Sequence, residues 1–239
     1  MKIEFLGTRG NIKIASELHR RHTVTIITYR GTRVAIDCGL DWLDHTNEIH
    51  PDAFVITHAH NDHVDGLKNG SPLPVYASAA SWKRLDQFPI KERVVIQHQV
   101  PFRIGEIIFE AFFVQHSLIA PAVGYRITAG EKIIFCAHDL LKLKHKSKAL
   151  ADVCLYIGDG ATINRPLVRR KDGKIFGHTT IRAQIGWCRK ERVKRMIVTH
   201  CGSQIVRTQP AIIEQLVANY GALNNVNAMI AHDDMEITI

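Results

Sequence analysis

The segment VITHAHNDHVDG, residues 55–66, sets His58, His60, Asp62 and His63 within six residues. It grows out of the apolar run AFVITH, which reads as a strand, and it closes on a glycine able to turn the chain. Side chains two apart on a strand share a face, so His58 and His60 can grip one cation while the following turn carries Asp62 and His63 to a second. Two adjacent metal sites are expected. A polar surface loop could hold the same residues by chance, but three histidines and an aspartate on a strand exit are metal-binding spacing.

Strands must position this cluster, and short β-rich runs bounded by Gly, Asp or Pro recur along the first two thirds of the chain. They include KIEFLG, TVTIITY, RVAIDCG, PVYAS, RVVIQ, EIIFEAFFV, VGYRIT, KIIFCAH and VCLYIG. Continuous apolar stretches such as FVIT and IIFC predict strands buried on both faces, and TVTIITYRG followed by TRVAID predicts a hairpin around Gly31. Helices are expected later. Ile181, Ile185 and Cys188 form one stripe after Thr179 and Thr180; Ile212, Ile213, Leu216, Val217 and Tyr220 form another after Pro210, with Gly221 expected to end it. The pattern is that of a layered α/β protein, and residues 1–239 are read as one domain without linker or repeat.

Of 239 residues 46% are apolar and 23% charged, which excludes a disordered or fibrous chain. No run approaches the ~20 apolar residues of a membrane span, and MKIEFLGTRG has no signal-peptide pattern, so a cytoplasmic location off the membrane is expected. Five cysteines, none in a C-x-x-C pair, read as reduced thiols. The net charge of +8 is unevenly spread: residues 142–195 carry +11 and the remainder −3. That asymmetry suits a surface for phosphate or nucleic acid, although a solvated helix face accounts for part of it.

The H-x-H-x-D-H loop closely resembles that of the metallo-β-lactamase fold hydrolases, and the resemblance runs along nearly the whole chain. Asp37 in VAIDCG is similar to the family's early acidic position, His116 in VQHS to its third metal histidine, Asp139 in FCAHD to its bridging acid and His200 in VTHCG to its last ligand. Each ends an apolar run, and successive strand exits converge on one edge of a sheet sandwich. The resemblance implies a four-layer αβ/βα sandwich with two mixed sheets and outer helices. It implies one ion on His58, His60 and His116, another on Asp62, His63 and His200, Asp139 bridging both, and Asp37 accepting a hydrogen bond from a ligand histidine. Singly, His116 or His200 would read as a core histidine. Strand alternation points His138 and Cys201 away from their ligand neighbours, so neither is counted. Nitrogen and carboxylate donors suit zinc best, with manganese and iron as alternatives that the donor set does not separate. Two such ions ~3.5–4 Å apart would bridge a hydroxide nucleophile that Asp62 orients.

The superfamily cleaves several substrate classes, and the later segment narrows the choice. GDGAT with Asp159 and GHTT with His178 are similar to the branch holding the tRNA 3′-processing endonucleases and the small cyclic phosphodiesterases of phosphonate metabolism. There an acid pairs with a histidine at a helix-opening turn, which implies that His178, oriented by Asp159, protonates the leaving alkoxide. Asp159 stands where glutamate is usual, so reach is shortened; without a partner His178 would be a helix-flanking polar residue. The chain has no room for the long Gly/Pro-rich arm of a full tRNA processor. The basic stretch RPLVRRKDGK between Asp159 and His178 is placed to meet phosphate near the centre. A phosphodiesterase acting on a nucleotide, cyclic phosphate or nucleic acid end is therefore expected. The alternative is hydrolysis of a carboxylic ester, lactone or thioester, and a non-catalytic metal protein is disfavoured because its coordination should close. Relatives of this architecture are often dimers, making a second copy an expected partner.

Overall fold

The computed structural model describes all 239 residues. Strands β1 (Lys2–Gly7), β2 (Val24–Tyr29), β3 (Thr32–Ile36), β4 (Ala53–Val55), β5 (Ser71–Ser78) and β6 (Ile90–Ile96) lie side by side in chain order. β7 (Phe102–Ile104), β8 (Ile107–Gln115), β9 (Ala122–Ala129), β10 (Lys132–Cys136), β11 (Lys142–Leu143) and β12 (Leu155–Asp159) begin a second sheet. β13 (Leu167–Lys171) and β14 (Lys174–His178) form a hairpin outside both sheets. β15 (Arg195–Thr199) and β16 (Asn227–Ile230) complete the second sheet, and β17 (Met235–Thr238) returns to pair with β1 in the first. The helices are α1 (Asn61–Val64), α2 (Ala79–Leu85), α3 (Lys146–Leu150), α4 (Ile181–Lys190), α5 (Ser203–Arg207) and α6 (Pro210–Ala222).

Three buried layers of side chains separate four layers of backbone. Ile3, Phe5 and Ile27 of the first sheet meet Phe109, Tyr125 and Ile134 of the second across the centre. Val24, Ile26 and Phe54 face outward under Trp42 and the α2 residues Trp82 and Leu85. Phe135, Tyr156 and Met196 face outward under α4 and α6. Neighbours on β10, Ile134 and Phe135, therefore serve different cores, which explains why IIFC shows no polar alternation. The result is the expected α/β sandwich of two mixed sheets with helices outside.

Each sheet is antiparallel on one side and parallel on the other. β3, β4, β5 and β6 run parallel, as do β10, β12, β15 and β16. Parallel strands all deliver their carboxyl ends to one edge, where ligand sites in open sheets form. Asp37, Asp139, Asp159 and His200 all lie at such ends, on or just past the last strand residue.

Two local features bear on the sequence reading. α6 runs through Gly221 to Ala222 instead of ending there, because Gly221 is buried against the returning chain: a Cβ on it would meet the Val226 carbonyl oxygen at 2.4 Å. The glycine serves close packing rather than termination. The hairpin around Gly31 forms as expected, with Arg30 at φ +45° and Gly31 at φ +84° making its turn. No helix is long and apolar enough to cross a membrane.

Candidate metal centre

β4 ends at Val55, and the chain beyond it stays buried through Thr57, His58 and Ala59 before α1 carries Asp62 and His63 back over the strand end. His58 Nε2 lies 2.9 Å from His60 Nδ1, which is 3.3 Å from His116 Nε2. His63 Nε2 lies 3.4 Å from Asp62 Oδ2, and His200 Nε2 is 3.1 Å from that same oxygen. Asp139 joins the groups: its Oδ2 is 3.4 Å from His58, 3.2 Å from His116 and 3.3 Å from His63. The seven residues read as ligands thus gather as two sets, His58–His60–His116 and Asp62–His63–His200, with Asp139 common to both.

The donor set suits divalent cations. Asp62 Oδ1, His63 Nε2, Asp139 Oδ1 and His200 Nδ1 are sealed from solvent and make no hydrogen bond. His200 Nδ1 stands 2.7 Å from Asp139 Oδ1, but the pair is not aligned for donation, so both point at common space. Each unpartnered buried polar atom costs about 1–3 kcal/mol unless a ligand takes it up. Burial holds His58 and His116 in the neutral form that binds metal, His116 down to about 4. Burial alone would raise Asp62 and Asp139, yet the facing imidazoles hold both carboxyls well below their ordinary value. The carboxylates therefore stay ionised, and they in turn raise His63 and His200 well above the ordinary histidine value, protons that a bound cation would displace.

Asp37 lies behind this layer at φ +63° and is fully buried. Its oxygens accept from the Thr57 amide (2.7 Å), Thr57 Oγ1 (2.7 Å), His63 Nδ1 (2.8 Å) and His138 Nδ1 (2.7 Å). That fixes the His63 ring so that Nε2 faces the pocket. His138 turns away from the ligands, as strand alternation requires, and its Nε2 rests 3.0 Å from Thr25 Oγ1. Its support of Asp37 is a role the sequence did not signal. Cys201 is buried with its sulfur 4.0 Å from the Ala231 carbonyl oxygen, away from the cluster.

Asp159 ends β12 and points at the same pocket. Its Oδ2 accepts from His178 Nδ1 at 2.8 Å and from the Leu140 amide at 3.0 Å, while Oδ1 accepts from the Ala161 amide at 2.8 Å. The shorter acid reaches its histidine because Gln184 clamps its backbone on both sides, accepting from the Asp159 amide at 3.0 Å and donating to its carbonyl at 2.8 Å. The sequence reading missed Gln184; the signal that could have found it is its place three residues after Ile181, on the helix face of Ile185 and Cys188. The His178 ring stacks 5.8 Å from that of His200 and meets His116 edge-on at 4.8 Å. Burial alone would lower its pKa, but Asp159 more than offsets that and raises it.

Residues 32–201, which span the seven candidate ligands together with Asp37, Asp159 and His178, match the β-lactamase superfamily domain. The chain belongs to that superfamily of metal-dependent hydrolases. Its fold is similar to that of YhfI, a metallo-β-lactamase fold protein from Bacillus subtilis, at 15% identity and TM-score 0.77 over 99% of this chain and 98% of that one. It is also similar to a diphosphatase of the PhnP family (18%, TM-score 0.73, 100% and 97% covered). Human tRNase Z, short form, aligns at 18% identity and TM-score 0.65 over 100% and 99%. Identities this low speak for the fold alone. No curated protein matches the chain.

Proposed function

We propose that this superfamily member is a phosphodiesterase acting on a nucleotide, a cyclic phosphate or a nucleic acid end. The observation that carries the reading is the Asp159–His178 pair, 2.8 Å apart at the mouth of the metal pocket. With Nδ1 engaged by Asp159, His178 has Nε2 left to give a proton, and the Asp159 carboxylate raises its pKa in favour of the charged form. Donation to the departing alkoxide avoids expelling a strong base, and Asp159 keeps the imidazolium stabilised until the proton leaves. Asp62, whose Oδ1 has no partner, is placed to orient the attacking water. His58, His60 and His116 would hold one divalent ion and Asp62, His63 and His200 another, with Asp139 available to both; such ions would lower the pKa of bound water towards ~7 and offset charge developing on the phosphoryl oxygens, zinc suiting the donors best. The five free cysteines, four of them buried, accord with our placing the protein in the cytoplasm.

The test is a substrate panel on metal-loaded protein: bis(p-nitrophenyl) phosphate beside thioesters and lactones. Diester turnover is expected. Turnover of the acyl substrates alone would replace this reading with an esterase, lactonase or thioesterase using the same centre.

A further inference from the structure

The stretch between Asp159 and His178 is built as a two-stranded hairpin, and its β14 strand ends on His178 itself. Its root is tied to the metal pocket. The Gly177 amide donates to the His116 carbonyl at 2.7 Å, the His116 ring reaches the Gly177 carbonyl at 3.1 Å, and Gln115 Nε2 donates to the Ile175 carbonyl at 2.6 Å. Gly177 adopts φ +123° with a Cβ position 1.8 Å from the Leu167 carbonyl oxygen, so the strand turns there from exposed hairpin to pocket. Every residue of β13 is exposed.

Cross-strand register decides what this hairpin presents. Arg169 lies opposite Phe176 and Lys171 opposite Lys174, so these four share one face. None of the bases Arg165, Arg169, Arg170, Lys171 and Lys174 has a carboxylate within 4.0 Å. The neighbouring basic run differs: Lys144, Lys146 and Lys148 sit 4.8, 4.0 and 5.7 Å over the rings of Phe113, Trp187 and Phe112. The basic segment therefore divides into a packed half and a free half. On the face shared with Phe176 the free half presents three cations and that half-buried ring, in rows about 7 and 14 Å along the strand from His178 at ~3.4 Å per residue.

A short diester or cyclic nucleotide ends before the second row. A strand of nucleic acid does not, and cations alternating with a ring are how proteins hold single strands without reading sequence. Resting on the phosphodiesterase reading, we propose that the Arg169–Lys171–Lys174–Phe176 face binds the single-stranded stretch of a nucleic acid whose scissile phosphate lies beside His178.

The test measures binding and turnover separately. Metal-loaded protein is titrated with fluorescent phosphorothioate oligonucleotides, single-stranded RNA, single-stranded DNA and a duplex, across a salt series. R169A/K171A should weaken single-strand binding and lower the salt slope by roughly 0.7 for each phosphate no longer neutralised. Phe176→Ala should cost at least about fivefold in affinity, with Phe176→Leu failing to restore it if the ring stacks on a base. Turnover of bis(p-nitrophenyl) phosphate should stay within about twofold of wild type in Lys171→Ala, because the second row lies beyond a substrate that small. A preference for RNA over DNA, or the reverse, fixes the class. Unchanged affinity and slope in R169A/K171A, or a duplex bound as tightly as the single strand, overturns the proposal. Oligonucleotide binding without any diester turnover would leave the hairpin assignment standing and remove the phosphodiesterase reading.

Discussion

On the inner wall of the pocket Asp37 accepts four hydrogen bonds and is sealed from solvent, whereas on the rim His178 leans on a single carboxylate and keeps 20% of its side chain exposed. The wall is held from several elements at once: Asp37 follows β3, Thr57 and His63 follow β4, His138 follows β10 and His200 follows β15. The rim ends in a hairpin whose cations have no carboxylate partner within the chain. A wall fixed from all sides can hold ions in one geometry, while a rim with free charge is where a substrate finds groups the protein has not already used. Changes to the wall should therefore register as lost metal, and changes to the rim as lost turnover with the metal kept.

The sharpest way to break that contrast is Asp139→Ala, which removes the oxygen common to both ligand sets. Metal content by elemental analysis should fall for both ions, and hydrolysis of any substrate should drop on the order of 10³-fold or more. Full metal content in this variant would mean that the two sets do not share a bridge. At the rim, His178→Ala should keep its metal and lose about 10²-fold in kcat on a diester with a poor leaving group. With p-nitrophenolate, which departs without a proton, the loss should be much smaller. Equal losses on both leaving groups would deny His178 the role of acid.

Much of the wall was legible because Asp37, His116, Asp139 and His200 each close an apolar run and strand period fixes which neighbour faces inward. The same rule kept His138 out of the ligand set. It could not show that His138 carries Asp37, since that hydrogen bond joins residues 101 apart and depends on how two sheets pack. The rim was harder to read. Asp159 looked too short for His178, and only the packed fold shows Gln184 of α4 gripping its backbone. RPLVRRKDGK gave the charge but not the register, and register decides which cations share a face with Phe176.

A smaller effect is expected one step behind the wall. Asp37→Asn keeps the shape but weakens acceptance from His63 and His138, so the His63 ring loses its fixed orientation. Metal affinity should fall roughly 10- to 100-fold, as it does when such supporting partners are changed. A competition titration with a chelator measures this directly. Affinity equal to wild type would show that His63 is held well enough by its ion alone.

The effect farthest from the chemistry concerns the loop that backs His200. Gly10 packs so closely that a Cβ would lie 3.0 Å from the His200 ring, and its amide donates to the Cys201 carbonyl at 3.0 Å. Asp233 anchors this loop by accepting from the Thr8 amide and hydroxyl and from the Arg20 and Arg21 amides. His19, 2.8 Å from Thr8 Oγ1, is buried beside that anchor. Burial, with His232 nearby, lowers its pKa from 6.5 to about 4. The unfolded chain thus binds a proton that the folded chain refuses, so this stability is present above pH 6.5 and drains away as pH falls towards 4. Between neutral pH and pH ~4.5 the loss should reach about 2–3 kcal/mol. In His19→Gln, which cannot titrate, urea unfolding should depend less steeply on pH by that amount while metal release at acid pH affects both proteins alike. Identical pH dependence would mean that His19 reaches water in the folded state. The loop would then not be docked, and the wall would be looser behind His200 than behind His63.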